Sequence, residues 1–178
     1  MLSCHYIQKG GLFTRPNLPI DSLVALLKRA LSQALSRFPP LAGRLKTDSD
    51  GYIYVTCNDA GAGFIHKNAA KLFIREILAP LHVPEIVKNF FAFDRTISHD
   101  GHCKPLLTVQ VTELADGVFI SCAVNHAVTD GTSFWNFFNT FAELSRGMNK
   151  ISKQPRFFSR LSVDFAGGFE NSPTVDSR

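Results

Sequence analysis

The chain has 178 residues, of which 45% are hydrophobic and 19% are charged; this balance is typical of one globular domain and excludes a largely disordered chain. The net charge of +4 comes from 19 basic and 15 acidic residues, and the basic residues are scattered, so nucleic-acid binding is not expected. The most apolar window, residues 118–144, is interrupted by Asn125, His126 and Asp130, which argues against a membrane-spanning segment.

The first part of the chain predicts a strand and then a helix. The strand covers residues 2–13, and because it starts so near the first residue we expect an upstream piece to be missing. Apolar residues then recur at helical spacing over residues 23–38, which predicts an amphipathic helix. Asp21 or Ser22 is its predicted N-cap, and the proline pair at 39–40 ends it.

The middle of the chain carries weaker signals. A turn is predicted at residues 50–51, followed by an alternating strand over 52–57. Short helices are predicted over 69–78 and 84–90, and the polar stretch 94–104 is predicted to be a loop.

The next part predicts a hairpin and a helix. Residues 106–114 alternate apolar and polar side chains, and residues 116–117 (Asp-Gly) are a hairpin turn signal. The return strand over 118–124 is almost wholly apolar, as expected for a strand covered on both faces. Phenylalanines then recur at spacings of three and four within residues 134–144, which predicts a helix whose phenylalanines belong to the core.

These elements predict an α/β fold, a mixed β-sheet flanked by helices, formed by residues 1–149. Residues 150–178 lose all periodicity and are rich in Ser, Pro, Gly and charge. They are predicted to form a linker or a disordered tail.

The cysteines indicate the cellular compartment. None forms a C-x-x-C pair, and each lies in or near an apolar stretch; they are Cys4, Cys57, Cys103 and Cys122. This pattern predicts buried, reduced thiols. The N-terminus also lacks the pattern of a signal peptide. We therefore expect a cytoplasmic protein.

The candidate catalytic residue is His126, which follows the buried strand directly. A rigid strand end can aim a side chain into a cleft, and neutral imidazole can accept a proton near neutral pH. Two simpler interpretations remain: His126 is a packed polar group, and Asp130 is the N-cap of the next helix, with its carboxylate on the amide of Ser133. A metal site at His126 and Asp130 is disfavoured because no third ligand is placed to complete it.

Residues 126–131 (HAVTDG) resemble the HXXXDG motif of the plant BAHD acyltransferases. Residues 132–135 and 137–138 resemble that family's continuation of the motif, and residues 37–45 (RFPPLAGRL) are similar to the segment that ends its first helix. The matches run in the right order from residue 2 to about residue 147.

The resemblance implies the first domain of the coenzyme A-dependent, chloramphenicol acetyltransferase-like fold. It implies that His126 is the general base for transfer of an acyl group from acyl-CoA to a hydroxyl or amine of a plant metabolite, by direct attack without an acyl-enzyme. Acyl-CoA would be a co-substrate, with no permanently bound cofactor. Asp130 would be structural, pointing away from the cleft toward an arginine elsewhere, and Gly131 would permit tight packing beside it.

The chain also departs from the family. Its members are roughly twice as long and carry a second domain with a DFGWG signature, which residues 164–168 (DFAGG) match only by chance. We therefore expect a fragment without the C-terminal domain, whose Phe-rich interdomain surface is exposed and open to self-association. The alternative function is an inactive fragment that acts as a binding or interaction domain. A hydrolase is disfavoured because no G-x-S-x-G elbow is present.

A few other residues have side chains that could form sites. A polar loop holds His99, Asp100, His102 and Cys103, but their spacing matches no zinc pattern, so a surface loop is expected. Arg44 is predicted to be a structural ion-pair donor, and Trp135 is predicted to lie in the core or at a domain interface.

Overall fold

The computed structural model describes residues 2–148, Ser152 and residues 163–165. Among these residues there are seven strands: β1 Ile7–Thr14, β2 Arg44–Thr47, β3 Ile53–Cys57, β4 Gly63–Ala69, β5 Leu107–Leu114, β6 Gly117–Val124 and β7 Val163–Phe165. The helices are α1 Ile20–Leu35, α2 Ile74–Leu78 and α3 Gly131–Ser145, with 3₁₀ turns at Pro39–Ala42, Glu85–Phe90 and Ser98–His102. The predicted α/β class with a mixed sheet is confirmed.

The larger sheet has the order β1-β6-β5-β4, in which β4 and β5 are parallel and the other pairs antiparallel. Its central strand β6 is buried almost throughout, which confirms burial on both faces. β5 is also buried on its polar face, because the segment 85–91 covers that face and supplies hydrogen-bond partners. Gln110 Nε2 donates to the Asn89 carbonyl at 2.8 Å, and Ser121 Oγ donates to the Phe90 carbonyl at 2.6 Å.

The opposite face of the sheet is covered by α1 and α3, which share one core with β5 and β6. Phe38 and Phe137 meet edge to face with their ring centres 5.5 Å apart. The phenylalanines Phe134, Phe137 and Phe141 are buried, so the prediction that they are core residues is confirmed. The expectation of an exposed Phe-rich surface is wrong for these three, since the sheet and α1 already cover them; Trp135 on the same helix is 47% exposed.

The ends of α1 differ from the prediction. The N-cap is Pro19, which makes no side-chain cap, and Asp21 lies inside the first turn. Proline at that position already holds the φ angle that a helix start needs, and its carbonyl accepts the Leu23 amide at 3.0 Å. The helix ends at Leu35, and the two prolines open a separate 3₁₀ turn over Pro39–Ala42.

Several strands depart from the sequence-based assignment. β2 and β4 were not predicted. The helix expected over 69–78 is confined to Ile74–Leu78, because Ala69 ends β4 and residues 70–73 form the connection between strand and helix. The first strand begins only at Ile7. Within the tail, residues 163–165 pair in parallel with β3, and Ser152 donates to the Glu143 carboxylate. The other residues of the predicted linker lie outside the described residues.

The cysteines divide into two pairs. Cys57 and Cys122 are buried as predicted, and burial raises the pKa of the Cys122 thiol. Cys4 and Cys103 are exposed, which corrects the prediction, because the segments around them form surface turns. Among the described residues, no helix combines the length and apolarity needed to cross a bilayer.

Candidate active site

The turn between β6 and α3 carries the candidate base. β6 ends at Val124 and α3 begins at Gly131, so the six intervening residues connect the most buried strand to the Phe-rich helix. Asn125 is fully buried, whereas His126 is partly exposed. Residues 127–129 are buried again, so within this turn only His126 and Asp130 are partly exposed.

The two ring nitrogens of His126 have different environments. Nδ1 is buried and has no hydrogen-bond partner among the described residues. An incoming group therefore has to approach the other nitrogen, Nε2. For Nε2 to accept a proton, the neutral ring must carry its own proton on Nδ1.

The backbone around His126 is fixed by the turn Ser98–His102. The His126 amide donates to Ser98 Oγ at 3.1 Å. The Asn125 side chain donates through Nδ2 to the Ser98 carbonyl at 2.7 Å and accepts the Ala127 amide on Oδ1 at 2.9 Å. Two of these contacts join segments that are 27 and 28 residues apart in sequence, and the third closes the turn on itself.

The same turn approaches Asn125 closely at Gly101. A Cβ atom on Gly101 would lie 2.5 Å from Asn125 Nδ2 and 2.7 Å from a Leu106 methyl, so only glycine leaves room there. Tyr6 completes the buried surroundings: burial raises the pKa of its hydroxyl, while a hydrogen bond with Asn125 works in the opposite direction.

Asp130 is the N-cap of α3. Its Oδ1 accepts the Ser133 amide at 2.7 Å, which confirms the capping interpretation. The same backbone hydrogen bond holds the pKa of the carboxyl below its usual value.

Gly131 does not serve tight packing. Apart from its chain neighbours and its own helix, no described atom comes within 4 Å of a Cβ built on it. The prediction that Gly131 permits tight packing is therefore wrong, because the first residue of α3 faces open space.

Arg44 and the polar segment 99–103 lie outside the His126 turn. Arg44 donates to the carbonyls of Gly43, Gly61 and Ala60 at 2.7, 2.8 and 3.3 Å, so it organises loop backbone. The predicted ion pair is not found among the described residues. His102 contacts the His99 carbonyl at 2.7 Å and Thr47 Oγ1 at 2.9 Å. Within the part of the chain that is described, no group of three or more metal-ligating side chains occurs.

Ser98, Asn125 and Gly101 are parts of this site that the sequence alone does not predict. Asn125 directly precedes the histidine, and its place beside the motif is the one signal that points to it. Ser98 and Gly101 lie in a polar stretch without periodicity, and only the folded chain brings them to the turn.

A groove of about 670 Å³ lies elsewhere, at the C-terminal end of α3. It is lined mainly by apolar side chains, among them Leu23, Phe138 and Val118, with Arg146 at α3's end. It includes none of the residues from 125 to 131, so the exposed part of His126 belongs to a different surface.

Comparison with known proteins identifies the family. The family model described as the Transferase family matches residues 1–168. The chain is 36% identical over 170 residues to an uncharacterized acetyltransferase of Arabidopsis thaliana, and 35% identical over 166 residues to the BAHD acyltransferase DCR of the same plant. The chain belongs to the BAHD acyltransferase family.

The match covers most of this chain but less than half of each BAHD relative. It covers 92% and 86% of this chain but 38% and 34% of the two relatives. The chain therefore spans less than two fifths of their length, and the HXXXDG turn lies inside the shared part.

Solved structures show the same fold. Vinorine synthase aligns with a TM-score of 0.67 and 23% identity, covering 94% of this chain and 43% of that one. TRI101 of F. sporotrichioides, crystallised with coenzyme A and T-2, aligns with a TM-score of 0.66 and 20% identity, covering 84% and 39%. The BAHD chain thus has the fold of coenzyme A-dependent acyltransferases, as the resemblance implied.

Proposed function

We propose that this BAHD chain supports transfer of an acyl group from acyl-CoA to a hydroxyl or amine of a small plant metabolite, in the cytoplasm, with His126 as the general base. The observation that carries the proposal is the partly exposed His126 at the end of a buried strand. Family membership supplies the reaction class. Acyl-CoA is a co-substrate in this proposal.

The chemistry follows from the two nitrogens of His126. Nε2 accepts the proton of the acceptor hydroxyl or amine while its oxygen or nitrogen attacks the thioester carbonyl. Proton transfer accompanies attack because an alcohol is a far weaker acid than imidazolium. The tetrahedral intermediate then breaks its carbon–sulfur bond, and the imidazolium returns the proton to the departing thiolate. Positioning of both substrates supplies much of the acceleration.

The environment of the turn supports one base and not a pair. Asp130 is occupied by the Ser133 amide, and its lowered pKa keeps it ionised. Its role in the proposal is to hold the turn, and Gly131 leaves the space beside the start of α3 open. This division agrees with a mechanism in which only the histidine handles the proton.

The test is release of coenzyme A thiol by the purified chain, measured with acetyl-CoA and an aromatic acyl-CoA and a panel of alcohols and amines. We expect His126→Ala to lower turnover by roughly 10²–10⁴-fold. His66→Ala is the matched control, since His66 is an exposed histidine on the edge strand β4, and it should leave turnover unchanged. Near-normal turnover of His126→Ala would remove the general-base proposal.

A second candidate is a non-catalytic interaction domain. A run of exposed apolar side chains favours it: Leu78 is 68%, Leu81 95% and Val83 79% exposed, and such patches mark association surfaces. This candidate gains support if the chain shows no turnover with any donor and light scattering detects a concentration-dependent increase in mass that Leu81→Ser abolishes.

A further inference from the structure

The orientation of the His126 ring needs an explanation. In many catalytic sites a carboxylate or carbonyl holds the second nitrogen of a histidine. Here Nδ1 is buried and meets no acceptor among the described residues. The ring is therefore not fixed through its own nitrogens by any described group.

Hydrogen bonds hold the backbone around His126 instead. Ser98 uses two oxygens toward the turn: Oγ accepts the His126 amide, and the carbonyl accepts Asn125 Nδ2. Asn125 returns a third contact by accepting the Ala127 amide. His126 and Ala127 are thus each held through the backbone amide, and Asn125 is held through both ends of its side-chain amide.

Burial makes these contacts specific. Ser98 and Asn125 both have 0% exposure, so water cannot replace a lost partner, and leaving such a group unpaired is costly. Gly101 lets the turn approach within contact distance of the Asn125 amide. Asn125 also has the buried Tyr6 hydroxyl beside it, so its side chain is surrounded by packed groups and not by solvent.

We propose that Ser98 and Asn125 are positioning residues that set the rotamer of His126 by holding the backbone on both sides of it. This inference rests on the proposed function in so far as the ring acts as a base. It assigns the polar turn Ser98–His102 a role in that reaction, although neither residue touches a reacting atom. Displacement of a catalytic group by about 1 Å can cost on the order of 10²-fold in rate, so a backbone hold of this kind is sufficient to affect turnover.

The test uses nuclear magnetic resonance on the labelled 178-residue chain and needs no turnover. Three-bond couplings from the backbone nitrogen and carbonyl to Cγ report the χ1 rotamer of His126, and hydrogen exchange reports its amide. In the unmodified chain we expect couplings of a single staggered rotamer. In Ser98→Ala we expect averaged couplings and an exchange rate of the His126 amide roughly tenfold higher.

Two further variants separate positioning from folding. Ser98→Cys keeps nearly the same volume while sulfur is a weak acceptor, so it should reproduce the averaging without a cavity. Ser121→Ala is the matched control, because Ser121 is also buried and also bonds a backbone group, the Phe90 carbonyl. It should leave the couplings and the amide of His126 unchanged.

The measurements can either support or overturn the positioning role of Ser98 and Asn125. Averaging at His126 in both Ser98 variants, with unchanged exchange in the middle of β5, supports the proposal. Unchanged couplings overturn it, and so does an equal rise of exchange at β5, since the serine would then stabilise the fold and not the histidine. Because no turnover is measured, failure here leaves the acyl-transfer proposal to its own test.

Discussion

Asp130 is committed to the first turn of α3. Its Oδ1 accepts the Ser133 amide, and a negative charge at this place also faces the positive end of the helix dipole. The lowered pKa keeps the carboxyl ionised at neutral pH, where it is a poor proton donor or acceptor. Asp130 is therefore a poor candidate for proton transfer, which is consistent with His126 as the proposed base.

Replacing Asp130 tests the cap. We expect Asp130→Ala to lower the free energy of unfolding by about 1 kcal/mol, because an orphan amide of the first turn loses its partner. Asp130→Asn keeps an oxygen acceptor and should cost less than half as much. Urea unfolding followed by circular dichroism measures both. Equal losses in the two variants would mean that charge, and not capping, is what matters.

The pH dependence of the same cap has a definite sign. A carboxyl whose pKa is lowered by folding contributes stability that is fully present above its unfolded pKa, and this stability is lost as the pH falls through the folded value. The Asp130 contribution should therefore be complete above about pH 4 and decline below it. Asp130→Asn lacks this titration, so its stability difference from the unmodified chain should shrink on acidification.

Individual residues of the site differ in how far sequence could predict them. The contact of Asp130 was predictable because the cap and its partner are three residues apart. Ser98 was not, since its partners lie 27 and 28 residues away and nothing in a polar loop marks the meeting. The open space around Gly131 was not predictable either, because a glycine in sequence does not reveal whether neighbours surround it.

Gly101 and Gly131 allow a crowded glycine position to be compared with an open one. Gly101→Ala pushes a methyl group to 2.5 Å from Asn125 Nδ2, and such overpacking should cost about 1–3 kcal/mol. Gly131→Ala adds a methyl group in open space at the start of α3, where alanine favours the helix, and should be neutral or slightly stabilising. Thermal unfolding of both variants measures the contrast. A loss at Gly131 equal to that at Gly101 would contradict the close approach.

The two long helices and the sheet form the core that holds the turn. α1 and α3 pack against each other and on the face of the sheet that carries Val109 and Val111. Since α3 starts five residues after His126, its packing fixes one end of the turn while β6 fixes the other. Loss of helix packing should therefore loosen the site as well as the fold.

Two neighbours on α3 separate core from surface. Phe137 is buried against Phe38, and Phe137→Ala should cost about 3–5 kcal/mol. Trp135 is half exposed and contacts the edges of Phe134 and Phe138, so Trp135→Ala should cost about 1 kcal/mol or less. The shift of the denaturant midpoint of each variant, at an unchanged dependence of the unfolding free energy on denaturant, would measure the two losses. A large loss for Trp135→Ala would show that its exposed face is covered in solution.

Strong periodicity decided which elements were predictable. α1, α3, β5 and β6 carry long apolar repeats, and each was found with errors only at its ends. β4 was missed because its second half, from His66 to Asn68, is exposed, so an edge strand leaves no alternation. β4 forms because its backbone pairs with β5 over seven residues. Its partner strand is distant in sequence, so the local pattern of residues 63–69 does not reveal the pairing.

The candidate base, the apolar groove and the exposed apolar side chains lie at three different places on the molecule. His126 lies at the N-terminal end of α3, the apolar groove lies at its C-terminal end, and the exposed residues Leu78 and Leu81 follow α2. The apolar surfaces are thus not the surface that carries the histidine. An association that uses them can be disrupted by mutation without touching the proposed base, so binding and catalysis can be assayed separately.

The smaller sheet, β2-β3-β7, links the end of the described chain to its core. Residues 163–165 form the outer strand beside Val55, Thr56 and Cys57, and this part of the chain is also within the family match to residue 168. Ending the chain after Met148 removes that strand. We expect the β3 amides that face β7 to exchange faster, because their acceptors are gone, while amides in β5 and β6 keep their protection.

Hydrogen exchange with mass spectrometry resolves the two sheets as separate peptides, which makes the comparison internal to one sample. Unchanged protection of β3 would show that residues 163–165 do not pair with it in solution. Loss of protection in both sheets would show instead that residues 149–178 belong to the domain's cooperative unit, which contradicts their interpretation as a linker. Faster exchange confined to β3 would place the boundary of that unit near Met148, with the His126 turn and its supporting contacts inside it.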